Sequence, residues 1–97
     1  HQNDLIDSVS LQQIDQKDVL VLKSSYSQGK YTTYLYEDKG YLKELFISNQ
    51  LEFDKDDGKK IIPVSHLKMQ QINLYLYHFS CIVDHKEINT NVAIQSK

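Results

Sequence analysis

The clearest periodicity lies in the last third of the chain. From Ile72 the even positions read Ile72, Leu74, Leu76, His78, Ser80 and Ile82; the odd ones read Asn73, Tyr75, Tyr77, Phe79, Cys81 and Val83. Alternation with period two is a strand signal, and apolar groups on both phases suit a strand lying between two packed layers. Leu67 and Met69 are apolar on odd positions, so the phase slips between Met69 and Ile72. That slip predicts a bulge or a strand break. After a turn at Asp84-His85-Lys86, Ile88, Thr90, Val92 and Ile94 alternate with Glu87, Asn89, Asn91 and Ala93. This is the pattern of a half-buried strand with one wet face.

The first two thirds read as a succession of strands and tight turns. Val9 and Leu11 alternate with Ser8 and Ser10, and Asp15 to Asp18 forms a charged turn. Val19-Leu20-Val21-Leu22 is a short continuous apolar run, which predicts a strand buried on both faces. Ser24 to Gly29 is a turn cluster, and Lys30 to Tyr36 is rich in residues that fit a pleated surface. Glu37-Asp38-Lys39-Gly40 closes a second hairpin, with Gly40 free to take positive φ. Tyr41 to Ser48 fits both helical and strand spacing; the preceding hairpin makes pairing local, so a strand is expected. Asn49 to Lys60 is a polar connection, and Ile61 to Val64 a short extended piece that Pro63 confines to an edge. The expectation is a single, mainly β domain over residues 1–97. Its antiparallel sheet would have six to seven strands, a meander followed by a C-terminal hairpin. The polar stretch His1 to Ser8 reads as the frayed end of a helix, which would make the class α+β if retained.

Composition narrows the function more than the fold. At 97 residues, 40% hydrophobic and 25% charged, the chain can build one thin core. All eleven basic residues are lysine, dispersed except for Lys59-Lys60, and the net charge is −2. Without arginine or a basic stripe, no nucleic-acid partner is expected. There is no run of about 18 apolar residues, so a membrane span is not expected within this stretch. The opening at His1 reads as a processed fragment with something removed upstream. A lone cysteine, Cys81, has no partner for an internal disulfide, and its apolar neighbours predict a buried thiol.

Four groups of residues carry candidate chemistry. Asp54, Asp56 and Asp57 place oxygen ligands close together, as a Ca²⁺ loop would. Gly58 falls at the fifth loop position instead of the sixth, however, and the twelfth is Ser65 instead of Glu. A solvated Asp-Gly turn is the simpler reading. His78, Cys81 and His85 are zinc-ligand types, but a strand sends His78 and Cys81 to opposite faces and no fourth ligand is evident. Cys81 with a histidine would need an exposed electropositive pocket to act as a nucleophile. No hydrolase, metalloprotease or phosphate-loop motif is present, so neither catalysis nor a cofactor is expected. Of the seven tyrosines, Tyr31, Tyr34, Tyr36, Tyr41, Tyr75 and Tyr77 are either packed with wet hydroxyls or form a platform for sugars, bases or a protein.

One string in the middle of the chain is distinctive. Thr33-Tyr34-Leu35-Tyr36-Glu37-Asp38-Lys39-Gly40-Tyr41-Leu42-Lys43-Glu44-Leu45-Phe46 is flanked by Val19 to Leu22 before it and Glu52 to Ile62 after it. Together they resemble a family of small uncharacterised proteins of Gram-positive bacteria that look like prepilins or pseudopilins. The resemblance covers about Gln2 to Val64. It implies a pilin-head-like domain behind a hydrophobic N-terminal helix, of which Gln2 to Asp7 would be the end. It further implies a non-catalytic subunit of a cell-envelope filament or type II secretion-like assembly, on the outer side of the membrane. The partners would be copies of itself or other pilin-like subunits, with membrane contact only through the missing helix. Tyr34, Tyr36, Tyr41, Leu42 and Phe46 would form the packing or partner surface. The alternative is a cell-surface binding module that takes a protein or glycan on exposed tyrosines.

Overall fold

The structure, a computed structural model, describes residues 6–95, which form eight β-strands and no α-helix. β1 (Ile6–Ile14), β2 (Lys17–Tyr26), β3 (Gly29–Asp38), β4 (Tyr41–Ser48) and β5 (Lys59–Pro63) make a five-stranded antiparallel meander. β6 (Ser65–Gln71), β7 (Leu76–Val83) and β8 (Lys86–Ala93) make a second antiparallel sheet of three strands. The mainly β, antiparallel class read from the alternation is the observed one. The count is eight strands in two sheets, where the pattern predicts six or seven in one.

The hairpins are tighter than their polar stretches indicate. Asp15-Gln16, Lys39-Gly40 and Asp84-His85 each join two strands, and all six residues have positive φ. Positive φ at both central positions is the type I′ turn, whose twist matches that of the flanking strands. Two residues suffice, so the strands run on into sequence that reads as loop.

Three local expectations are corrected. Ile6 to Ser8 are strand, not the end of a helix: Ile6 and Ser8 pair with Ser24 and Lys23, and the Ser25 hydroxyl donates to the Asp7 carboxylate. The rest of the expected helix end, residues 1–5, lies outside the described residues. Secondly, β7 starts at Leu76 and not at Ile72. The Asn73 side chain accepts from the N–H groups of Tyr75 and Leu76 at 2.9 and 3.0 Å, forming a local turn that competes with the ladder. Thirdly, β8 is exposed at all eight positions instead of presenting one buried face.

The core has two parts, one on each face of β2. Val19 and Val21 point to one face, where they meet Tyr36 and Leu45, with Tyr34, Ile47 and Phe53 packed around them. Leu20 points to the other, where it meets Met69 and Tyr77 of the second sheet, flanked by Val9, Leu11, Leu22, Leu35 and Phe79. The apolar run Val19–Leu22 is thus covered on both sides, as expected. Complete burial of a side chain such as Leu20 contributes about 1.5–3 kcal/mol.

β6 ties the two sheets together. The Val64 N–H donates to Gly40 at the β3–β4 turn, that of Leu67 to Glu37 on β3, and that of Met69 to Asp18 on β2. β6 therefore lies across successive strands of the first sheet. A register shift between Ser65 and Lys68, with His66 at positive φ, bends it into place.

Candidate functional site

Two regions gather chemistry or accessible apolar surface. The first lies under the β4–β5 connection. Pairing sets Tyr36 opposite Lys43, and alternation brings Asp38 to the same face. Lys43 Nζ donates to Asp38 Oδ2 at 2.7 Å, with both side chains 6% exposed. The connection then folds over this face. Its Lys55 carbonyl accepts from Tyr36 Oη at 2.8 Å and from Lys43 Nζ at 3.2 Å. Phe53 packs on Tyr34 and Tyr36 with ring centroids 4.7 and 5.0 Å away. Gly58 passes so close that a Cβ there would stand 2.2 Å from Tyr36 Oη.

The electrostatics follow from that enclosure. The hydrogen bond from Lys43 holds the Asp38 carboxyl below the usual aspartate range, against the opposing effect of burial. Burial pushes the Tyr36 hydroxyl above its ordinary value; the Gly58 backbone N–H offsets part of this, and Asp38, Asp57 and Asp54 add to it. The neighbouring cleft, lined by Ile14, Asp15, Val19, Tyr36, Asp38 and Phe53 among others, holds about 110 Å³. A second depression of about 500 Å³ adjoins it against Glu52, Phe53, Asp54 and Asp57, within the range of about 300–1,000 Å³ usual for small-molecule sites. The arrangement is a latch that pins the connection to the sheet.

The acidic residues sit on this latch. The Asp54 carboxylate caps a single 3₁₀ turn, Lys55–Asp57, by accepting from the Asp56 N–H at 2.9 Å. Asp56 meets Lys39 at 3.5 Å, and all three aspartates are exposed. Among the described residues no three His, Cys, Asp or Glu side chains gather as a metal-holding group.

The second region is the β7–β8 side of the three-stranded sheet. His78 and Cys81 point to opposite faces of β7. The His78 ring bonds to Asn91 Oδ1 at 2.6 Å and to Asn89 Oδ1 at 3.2 Å, while His85 occupies the hairpin turn. Cys81 is half-buried, which corrects the expected buried thiol. It pairs with Ile88 on the exposed strand β8 and lacks the cover that Tyr77 receives further along β7. Ile88 and Val92 of β8 are 42% and 36% exposed, and in the loop before β7 Ile72, Leu74 and Tyr75 are exposed too.

The residues expected to form one packing surface divide between two faces of the first sheet. Tyr34, Tyr36 and Tyr41 share the face of Lys43; Leu42 and Phe46 point the other way. Tyr36 is buried, Tyr34 packs on Phe53, and Tyr41 lies under the Lys60 ammonium, 4.6 Å from its ring centroid. Phe46 stacks on Tyr31 at 5.1 Å, with Tyr26 edge-on to both. The tyrosines therefore do not line up as a single platform.

The sequence reading missed Lys43 and Gly58. A signal for Lys43 was available: it shares its strand phase with Tyr41, Leu45 and Ile47, and a charge on an apolar phase requires a partner. Gly58 carried none, because its φ of −69° suits any residue and only the close approach of Tyr36 requires glycine there.

The edges of the sheets differ in protection. The Glu37 and Asp18 carboxylates occupy N–H groups of β6, and β5 is short, with two lysines and a proline. β1 is bent by its shift between Ile6 and Ser8. β8 has a central stretch, Ile88 to Ala93, without charge, proline or register shift. Among the described residues no helix is long and apolar enough to cross a membrane.

No curated protein and no solved structure matches the chain. The family described as Domain of unknown function (DUF4860) matches residues 1–84, from the N-terminal residues through the latch and into the second sheet as far as the β7–β8 turn, and the chain belongs to that family.

Proposed function

We propose that the domain is a structural subunit that works by packing against other protein chains, of the pilin-head or pseudopilin-head kind. Its place is then the outer side of the membrane, in a cell-envelope filament or a type II secretion-like assembly. The observation that carries this reading is the second sheet. Its last strand is exposed at every position, Ile88 and Val92 included, and the loop before β7, which is tied to the end of that strand by the Ile94 N–H bond to the Tyr75 carbonyl, exposes Ile72, Leu74 and Tyr75. Exposed apolar positions on an edge strand and the loop beside its end suit a protein interface better than a small-molecule site. The latch fits the same role, because it spends its polar groups on holding the connection down.

The test is made on the whole gene product in its own cells. Processing of a short basic leader ahead of an apolar segment, followed by recovery in sheared surface filaments or in a cross-linked envelope assembly, is the expected result. Release into the medium as a lone secreted domain would overturn the reading in favour of a cell-surface binding module.

A further inference from the structure

We propose that β8 is a self-association edge, which pairs antiparallel with β8 of a second copy across a two-fold axis through Thr90. This goes beyond the function proposed above and stands on the backbone of one hairpin, so either can fail without the other.

The backbone sets which groups face outward. Asp84-His85 is a two-residue type I′ turn between Val83 and Lys86, and the residues flanking such a turn exchange backbone hydrogen bonds. Bonded pairs alternate along an antiparallel ladder. Lys86, Ile88, Thr90 and Val92 therefore bond inward to β7. Glu87, Asn89, Asn91 and Ala93 turn their N–H and C=O groups to the outer edge. An incoming antiparallel strand must match outward-bonding residues with outward-bonding residues. For a second copy of β8 this allows only registers in which odd positions face odd ones.

The side chains choose among those registers. The stretch Ile88-Asn89-Thr90-Asn91-Val92 reads the same in both directions by chemistry: apolar, amide, hydroxyl, amide, apolar. Centred on Thr90, the pairing sets Ile88 against Val92 of the second copy, Asn89 against Asn91, and Thr90 against itself. The apolar row continues the face that already carries Tyr77, Phe79 and Cys81, and buries Ile88 and Val92 together. The amide row continues the opposite face, where His78 bonds both asparagines. Lys86 falls opposite Ile94 and Glu87 opposite Ala93, so no charge meets its like. Shifting the centre by one step, to Asn89 or Asn91, sets Lys86 against Val92 or leaves Ile88 against its continuation at Ile94, and breaks the Ile88–Val92 match. The product is a six-stranded sheet, and the interface is small, so association is weak and depends on concentration.

The experiment uses the chain as it stands. Sedimentation equilibrium over a rising concentration series should show the mass climbing from 11.4 kDa toward twice that value. Asn91→Pro removes an outward N–H, at a position where an edge strand tolerates proline, together with the Asn91–His78 bond, and should hold the chain at monomer mass with the fold kept by circular dichroism, whereas Asn91→Ala, which loses the same side-chain bond but keeps the N–H, should still associate. In a Cys81→Ser background, Thr90→Cys should oxidise to a disulfide dimer. Facing residues of a non-bonded antiparallel pair stand about 4.5 Å apart at Cα, within disulfide reach. Ile88→Cys faces Val92 instead of itself and should cross-link several-fold less. Monomer mass at all concentrations with no Thr90→Cys dimer would overturn the proposal. So would equal cross-linking of Thr90→Cys and Ile88→Cys, or a dimer unaffected by Asn91→Pro, since another surface would then join the copies.

Discussion

In the five-stranded sheet, Lys43, Asp38 and the Tyr36 hydroxyl are buried, and each is bonded to another of the three or to the Lys55 carbonyl. In the three-stranded sheet, the Tyr77 hydroxyl is buried with no bonding partner among the described residues, and β8 has every side chain exposed. The first region closes on itself; the second leaves both apolar groups and backbone edge accessible. The difference follows from cover. A ten-residue connection folds back over one face of the first sheet, whereas nothing in the described chain follows β8 back over the second. The first region satisfies its buried polar groups internally; the second buries one hydroxyl without a partner among the described residues and leaves the outer edge of its last strand open.

The sharpest way to break the comparison is at the buried ion pair. Lys43→Ala leaves the Asp38 charge enclosed and the Lys55 carbonyl short of a donor, so a loss of about 3–5 kcal/mol is expected in urea unfolding. The double change Lys43→Met with Asp38→Leu should recover most of that loss, because a buried pair and an apolar pair of similar volume differ little. A Lys43→Ala variant within about 0.5 kcal/mol of the parent would mean that the pair is solvated and the latch is not closed.

Gly58→Ala comes next. The added methyl would sit 2.2 Å from Tyr36 Oη and 3.1 Å from Lys43 Cβ, so either the tyrosine or the connection must move. Overpacking of this kind costs about 1–3 kcal/mol. Adding Tyr36→Phe should relieve part of the clash, and thermal melts of the two single variants and the double measure that coupling. Simple additivity would show that the connection does not rest on Tyr36.

Much of this first region was legible from alternation alone. Val19 to Leu22 announced a strand covered on both faces, and Tyr41–Ser48 was placed by the hairpin before it. What alternation could not show was the division into two sheets, because the break falls within a short extended stretch. Val64 bonds back to Gly40, and β6 finds its partners in β7 and in two carboxylates of the first sheet; these contacts lie far away in sequence. The exposure of β8 escaped for the same reason. Its pattern of Ile88, Thr90, Val92 and Ile94 is that of a half-buried strand, and a pattern records what a face can pack against, not whether anything lies opposite. The latch was half visible. The charge of Lys43 on an apolar phase was readable, whereas the closeness of Gly58 to Tyr36 depends on how the connection folds back.

Acid should then loosen the first sheet at Asp38. Asp38 is held below the ordinary aspartate value of about 3.9, chiefly by the Lys43 hydrogen bond. The carboxylate form is favoured by folding, so its contribution is complete above that value. It is lost as pH falls from about 4 through the folded-state value. Asp38→Asn removes the titration. The urea midpoints of parent and Asp38→Asn should therefore differ most near neutral pH and converge below about pH 4. A gap that stays constant down to pH 3 would show that Lys43 does not hold the carboxylate.

The smallest effects come from a matched pair of hydroxyl deletions. Tyr36→Phe removes a bond to Lys55 and should cost about 1 kcal/mol. Tyr77→Phe removes a buried oxygen with no partner among the described residues, so stability should hold or rise by up to about 1 kcal/mol. Tyr36 also carries an alkaline signature. Burial raises the Tyr36 hydroxyl above its usual value near 10, so the neutral form stabilises the fold below that pH and the contribution fades as pH climbs toward the folded-state value. Tyr36→Phe should flatten the alkaline end of the stability curve for that reason. Equal losses from Tyr36→Phe and Tyr77→Phe would mean that the second sheet satisfies its buried hydroxyl as fully as the first, and the contrast between a closed region and an open one would no longer rest on hydrogen bonding.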